Sequence, residues 1–289
     1  MSMFSNEFAL RALVCALIVG GCAPTLGTYL VQRRMSLIGD GIGHVALTGV
    51  GVGLLLHTSP VTMAVVVAAA CAVGLELLRE RGRTPGDLAL AVLFYGGIAG
   101  GVLLIGLASN EGGSGSLNQY LFGSLATTSN RDMVQMAVVG GVLVALMLLL
   151  RPALFAVCHD EEYARVAGLP VRTLNMLIAV TTAATVTVGM RTVGLLLVSA
   201  LMVVPVATAQ QVTRGFRSTL LLAMAIGLVV AGAGSTISWQ YANTPTGATI
   251  VLVAVALFVL TTVATAVLRL RDRRRSILPA AAAATAGDA

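Results

Sequence analysis

The feature that most constrains this chain is a series of long apolar runs separated by short polar connections. A helix that rises 1.5 Å per residue needs roughly 17 to 25 residues to cross about 30 Å of hydrocarbon. Nine runs of that length can be read, at 8 to 30, 37 to 57, 60 to 78, 86 to 108, 132 to 150, 173 to 190, 192 to 209, 218 to 238 and 248 to 268. The sequence therefore predicts an all-α polytopic membrane protein of about nine transmembrane helices.

Composition supports one membrane domain. At 57% hydrophobic and 10% charged residues, a chain of 289 residues has too little polar surface to cover a water-soluble globule. We expect a single transmembrane domain over residues 1 to 275 and a disordered cytoplasmic tail at 276 to 289. The two runs that flank Arg191 could also form one kinked or re-entrant pair, which would change the count by one.

The arginines predict the orientation of the chain. All 18 basic residues are arginine, and 15 of them fall in alternate connections: Arg33, Arg34, Arg79, Arg81, Arg83, Arg151, Arg165, Arg172, Arg214, Arg217, Arg269, Arg271, Arg273, Arg274 and Arg275. Only Arg11, Arg131 and Arg191 lie on the other side. The positive-inside rule then places the N-terminus outside and the C-terminus in the cytoplasm. This bias accounts for the net charge of +6 without any nucleic acid partner.

The stretch GDGIGH places Asp40 and His44 four positions apart near the start of the second run. On a helix this spacing puts both side chains on one face, one turn apart. A charged residue within lipid costs about 2.5 to 3.5 kcal/mol on insertion scales, so an acid beside a metal-ligand residue indicates function. Carboxylate oxygen and imidazole suit a divalent metal ion. In the structural alternative, Asp40 caps the helix and His44 bonds a neighbouring span.

The other polar residues indicate a functional site less clearly than Asp40 and His44 do. The chain has no lysine and so cannot contain the phosphate-binding loop that ends in Gly-Lys-Ser/Thr. We expect His57 to lie at the outer interface without binding metal, and Cys158-His159-Asp160 to be surface residues, because adjacent residues on a short turn rarely converge. Glu76 is expected to pair with Arg79 and reach the cytoplasmic edge.

A longer connection between 151 and 172 predicts one short helix. Helix-forming residues run from Glu161 to Ala167, with Gly168 as terminator and Pro170 beyond it. Tyr163 and Val166 would share a face with Ala167. Glu161, Glu162 and Arg165 would be available to a partner or to water.

Several segments together resemble the permease subunits of the zinc, manganese and iron branch of ATP-binding-cassette importers. The likeness rests on RRMSLIGDGIGHVALTGVGVGLLL at 33 to 56, LNQYLFGSL at 117 to 125, DEEYARVAGLPVRTLN at 160 to 175, VGLLLVSALMVVPVATA at 193 to 209 and PTGATIVL at 245 to 252. These segments follow the family's order and cover most of the chain.

The resemblance implies a homodimeric permease in the bacterial plasma membrane. It implies two separate cytoplasmic ATPase subunits, an external solute-binding protein that delivers the metal, and no enzymatic activity or resident cofactor in this chain. Asp40 and His44 would coordinate the passing ion, which is zinc, manganese or iron. The segment that contains Asp160, Glu161, Glu162, Tyr163, Arg165, Val166 and Gly168 would be the coupling helix that docks on the ATPase.

Three alternatives stay open at this point. A permease of the related siderophore or vitamin importers would need a wide aromatic-lined passage, whereas aromatic residues make up 4% of the chain. A carrier driven by an ion gradient would need several intramembrane acids. A membrane anchor without transport activity would leave the Asp40 and His44 pair without a role.

Overall fold

The computed structural model describes residues 7–80, 86–110, 117–123, 129–241 and 245–286, and within these ranges it contains helices and no strand. Nine helices of the described chain are long and apolar enough to cross a membrane. They are α1 (Glu7–Gln32), α2 (Ile38–Leu55), α3 (Pro60–Glu80), α4 (Gly86–Asn110), α6 (Asn130–Leu149), α9 (Val171–Thr192), α10 (Leu195–Val212), α11 (Phe216–Gln240) and α12 (Thr246–Ala286). Three short helices complete the set: α5 (Leu117–Phe122), α7 (Arg151–His159) and α8 (Glu161–Val166). The predicted fold class is confirmed.

The ambiguous break near Arg191 separates two helices. Helix α9 ends at Thr192 and α10 begins at Leu195, with Gly194 between them at a φ of +90°. Glycine adopts this positive φ without steric cost, so the chain can turn sharply within two residues. The two runs are therefore two separate spans.

The predicted tail falls on the end of α12. The structure continues this helix to Ala286, where we expected disorder, and residues 287–289 lie outside the described ranges. Alanine has the highest helix propensity of all residues and fills 280 to 284, which gives a local reason for the helix. The end of the membrane domain at residue 275 stays a prediction.

Helix α2 lies at the centre of the bundle. Two thirds of its apolar window, 67%, is buried inside the molecule, against 17% for α4 and 11% for α12 at the periphery. Helices α3, α4 and α9 surround α2, while α1 packs against α6, α10 and α11. The hydroxyl of the fully buried Tyr29 donates to the carbonyl oxygen of Met147 at 2.9 Å and ties α1 to α6. Because three helices pack around α2, the residues near its start are held from several sides.

Candidate metal site

Glycines bring α4 against α2 beside His44. A Cβ added to Gly97 would lie 2.6 Å from the backbone carbonyl carbon of His44, which is closer than real Cβ atoms come. Thr48, one turn after His44 on α2, adds a hydrogen bond between the two helices: its Oγ1 donates to the carbonyl oxygen of Gly97 at 2.9 Å. Small residues permit such close approach of helices in membranes. The position of α2 relative to α4 is therefore fixed at the level of the site.

Asp40 and His44 meet as the sequence predicts. The distance from His44 Nε2 to Asp40 Oδ1 is 3.7 Å, which is longer than a hydrogen bond. Two ligand atoms that are each about 2.0–2.2 Å from one tetrahedral ion lie roughly 3.4 Å apart. The separation therefore suits two atoms that share an ion. The side chain of Asp40 is 31% exposed and that of His44 is 13% exposed, so a path leads to the carboxylate.

The imidazole of His44 is held by a ring contact. Its centroid lies 4.6 Å from that of Phe94 on α4, in an edge-to-face arrangement. The buried Nδ1 has no hydrogen-bond partner among the described residues. A ligating histidine usually donates its other ring N–H to an acceptor. This chain leaves that position open.

A cavity of about 390 Å³ adjoins the pair. Helices α2, α5 and α10 contribute to its wall, and the lining residues include Asp40, His44, Leu121, Phe122, Leu195 and Ser199. The lining is mostly apolar, so the few polar groups carry any recognition of a cation. The arrangement offers a sparse set of ligands in a partly enclosed space.

Helix α5 borders this cavity and is fastened by two glycines. Gly123 follows the end of α5 and Gly194 lies in the turn between α9 and α10, and a Cβ on either would collide with the backbone of the other segment. Both have positive φ, +77° and +90° respectively. We call this contact the glycine seam. It holds Leu121 and Phe122 at the cavity.

Ser199 is a candidate that the sequence did not reveal. Its hydroxyl oxygen is buried and has no hydrogen-bond partner in the part of the chain that the structure describes, although the residue lines the same cavity as Asp40 and His44. Serine in a helix commonly satisfies its hydroxyl on the carbonyl four residues earlier, as Ser235 does here on Ala231 at 2.7 Å. A serine inside an apolar run carries no distinguishing pattern, so only the fold could single it out.

In the described ranges, the Asp40 and His44 site included, no three Asp, Glu, His or Cys side chains gather in a way that could hold a metal ion. The three residues 158 to 160 face different neighbours, since Cys158 Sγ lies 3.9 Å from the carbonyl oxygen of Tyr29 and His159 stacks on Phe155. Burial raises the pKa of the Cys158 thiol to about 11, so it stays protonated at neutral pH. These residues do not converge on a site, as predicted.

The predicted short helix forms as α8. The Asp160 side chain accepts from the Tyr163 backbone N–H at 2.9 Å and caps its start. Gly168, at a φ of +79°, ends it in the left-handed conformation typical of helix C-termini. Tyr163 is 66% exposed and Val166 is 88% exposed, so an apolar face is open to a partner. The exposed Glu162 lies beside that face.

Glu161 is the exception on this helix. We expected its carboxylate to be available to a partner or to water; the side chain is 35% exposed, but its partners belong to this chain. Oε2 lies 3.3 Å from Arg33 Nη2, and Oε1 accepts from Asn175 Nδ2 at 3.5 Å. The reason is position, because the first residue of α8 lies beside Arg33, which follows the end of α1, and Asn175 in the first turns of α9.

Glu76 also differs from its prediction. It does pair with Arg79, at 3.4 Å, but its side chain is 6% exposed and does not reach the water-exposed edge. Arg79 Nη2 lies 3.9 Å from Glu161 Oε2, so the two acids share an arginine. The network around Glu161 keeps Glu76 inside the protein.

Comparison with known proteins finds a matching family and relatives over most of the chain. The model of the family described as ABC 3 transport family matches residues 5–265. The chelated iron transport system membrane protein YfeD of Yersinia pestis is 30% identical over 275 residues, which cover 95% of this chain and 91% of that protein. The manganese transport system membrane protein MntC of Halalkalibacterium halodurans is 31% identical over 259 residues, covering 89% and 87%.

A solved structure has a similar fold. It is PsaBC from Streptococcus pneumoniae in complex with a Fab, with a TM-score of 0.79 and 27% identity. The match covers 90% of this chain and 92% of the other. The similarity therefore extends over nearly all of both chains.

Proposed function

The chain belongs to the ABC 3 transport family, and we propose that it is the permease subunit of an ATP-driven importer of a divalent transition metal ion. This membership confirms the resemblance seen in the sequence. Relatives named as transport proteins for manganese and for chelated iron support the same cargo class. The observation that carries the proposal is the Asp40 and His44 pair, 3.7 Å apart beside a cavity in the most buried helix of a member of this family.

The pair acts as a transient site on the path. Asp40 supplies charge and oxygen, and His44 supplies an imidazole nitrogen, which together tolerate zinc, manganese or iron. Two ligands bind an ion weakly, and a transport path needs weak binding because the ion must leave again. The Ser199 hydroxyl adds a third candidate ligand in the same cavity. A second copy of the chain, related by two-fold symmetry, adds a second set of ligands.

Separate subunits supply the energy. Two cytoplasmic ATPases bind the apolar face of α8 that Tyr163 and Val166 leave exposed. An external solute-binding protein delivers the metal at the opposite side of the membrane. The arginine bias supports an N-terminus outside and a C-terminus in the cytoplasm, which puts α8 on the side of the ATPases.

A metal chelate is the alternative cargo, and the name of one relative supports it. A relative is named for chelated iron. A bare ion needs only the polar pair, whereas a chelate would fill the mainly apolar cavity of about 390 Å³. The two cargoes are distinguished by supplying the same metal free and chelated.

The proposal is tested by reconstituting the chain with its ATPase subunits in proteoliposomes and supplying the metal together with the external solute-binding protein. We expect ATP-dependent accumulation of free Mn²⁺, Zn²⁺ or Fe²⁺, and none in vesicles that hold the chain alone. Uptake by the chain alone, driven by an ion gradient, would overturn the proposal. Uptake of chelated iron but of no free ion would replace the cargo while keeping the permease role.

A further inference from the structure

The carboxylate of Glu161 is the centre of an ion-pair cluster that joins α8 to three other parts of the chain. Arg33, at the end of α1, lies 3.3 Å from Oε2, and Arg79 on α3 lies 3.9 Å from the same oxygen. Asn175 on α9 donates to Oε1 at 3.5 Å. Arg165, one turn later on α8, also lies 3.5 Å from Oε1. We call these residues, together with Glu76, the Glu161 cluster.

The inner part of the cluster is shielded from water. The Arg33 side chain is only 5% exposed, and its Nη1 donates to Asn175 Oδ1 at 2.8 Å. Asn175 is itself 2% exposed. Ion pairs at the surface contribute little, whereas a buried charge that loses its partner is strongly unfavourable. Arg33 therefore depends on Glu161.

The cluster also touches the segment that leads to the metal site. Arg33 lies five residues before Ile38, where α2 begins, and Asp40 follows two residues later. Arg79 donates to Met35 Sδ in the same link at 3.1 Å. The link between α1 and α2 is thus held by two arginines that both face Glu161.

The two sides of α8 have different surroundings. Ala164, three residues after Glu161, is fully buried, while Tyr163 and Val166 point outward. Glu162 is exposed. A cavity of about 680 Å³ beside the inner side is lined by Glu76, Arg79 and Glu161, among others, so the ion pairs have room to rearrange. The inner side binds this chain, and the outer side is open to a partner.

From this arrangement we propose that Glu161 is a positioning residue that couples α8 to α2, so that movement of α8 reaches Asp40 and His44 through Arg33. The inference deepens the proposed function and rests on it. It assigns Glu161 to transmission within the permease, and it leaves binding of the ATPase to the outer side of α8.

The test compares Glu161→Gln with Glu162→Gln in the permease reconstituted with its ATPase subunits. Neutralising Glu161 should raise the ATP hydrolysed per ion transported by about tenfold, a size within the usual range of coupling between sites. Assembly with the ATPase should persist, and Glu162→Gln should match the wild type. An unchanged ratio in Glu161→Gln overturns the proposal, and so does loss of assembly, which would make Glu161 a docking contact.

A double-mutant cycle guards against a folding defect. Arg33→Gln should raise the ratio as Glu161→Gln does, and the double variant should be no worse than either single variant, because both remove one connection. Additive effects would mean that the two residues act separately, which contradicts the proposal. Tyr163→Ala with Val166→Ala should lose assembly instead, which separates docking from transmission.

A distance measurement that needs no metal tests this inference separately from the proposed function. Spin labels at Leu37→Cys and Val212→Cys, both exposed positions, report movement of the link relative to α10 in a chain whose native cysteines are replaced. ATP binding should change the distance between the labels in the otherwise unmodified complex and leave it unchanged with Glu161→Gln. A change that survives Glu161→Gln overturns the coupling role. Failure of the wild-type complex to transport any metal would overturn only the proposed function.

Discussion

Single residues decide whether the cavity can recognise a cation. Its wall is mainly apolar, and the polar residues that line it are Ser36, Asp40, His44 and Ser199. The sequence predicted that Asp40 and His44 meet, because residues four apart on a helix lie next to each other on one face. The role of Ser199 was not predicted, because its neighbours in space come from α2, more than 150 residues earlier in the chain.

Removing either predicted ligand should stop transport. In Asp40→Ala and His44→Ala the ion loses one of two ligands from this chain, and we expect uptake to fall by about a hundredfold or more. Uptake of radioactive metal into proteoliposomes measures this, with assembly checked by copurification of the ATPase. The matched control is His159→Ala, which removes an exposed histidine that stacks on Phe155. Wild-type uptake by both site variants would exclude the site.

Ser199 should have a smaller effect that depends on concentration. We expect Ser199→Ala to raise the metal concentration needed for half-maximal uptake by about tenfold, the value of one hydrogen bond to a charged group, and to keep the maximal rate. Ser235→Ala is the control, because its hydroxyl is already bonded to the Ala231 carbonyl oxygen. Equal uptake curves for the two variants would remove Ser199 from the site.

At the scale of helices, the sequence predicted where a helix forms and where it ends better than it predicted which of its side chains face inward. The cap at Asp160 and the stop at Gly168 give α8 its limits through local chemistry alone. Which of its two adjacent glutamates faces inward depends on Arg33 and Asn175, which are distant in sequence. Glu76 was assigned to the water-exposed edge for the same reason, since the Glu161 with which it shares Arg79 belongs to another helix.

The fit of α4 against α2 can be tested with two neighbouring glycines. Gly97→Ala would place a methyl group against the His44 backbone, so we expect a loss of about 1–3 kcal/mol in stability, typical of overpacking. Gly96→Ala is the control, since no described atom beyond its chain neighbours and its own helix backbone lies within 4 Å of its Cβ position. Thermal unfolding of the purified chain in detergent compares the two. A stable Gly97→Ala variant would argue against the close contact.

For the molecule as a whole, the number of spans followed from apolar length, whereas the sidedness that the arginines indicate stays a prediction. The nine spans in the described chain match the nine runs, because hydrocarbon thickness sets a minimum length that the sequence displays directly. The packing order of these spans was not predictable. All nine are apolar around most of their surface, so periodicity does not distinguish the central α2 from the peripheral α12.

The orientation gives a prediction for the entire chain. Alkaline phosphatase, which is active only outside the cytoplasm, should be active when fused after Ser59 and inactive when fused after Arg172. A green fluorescent protein at the C-terminus should fluoresce, because it folds in the cytoplasm. The opposite pattern would mean that the arginine bias does not orient this chain and that α8 faces away from the ATPases.

The glycine seam between Gly123 and Gly194 has a consequence for how the cavity could be altered. There the main chain of α5 rests directly on the main chain of the turn between α9 and α10, and no side-chain chemistry is involved. A side chain at either place would force the two segments apart, and Leu121 and Phe122 in the cavity wall would have to move with them. The shape of the cavity thus depends on two missing methyl groups, and it could be changed while Asp40, His44 and Ser199 all stay in place.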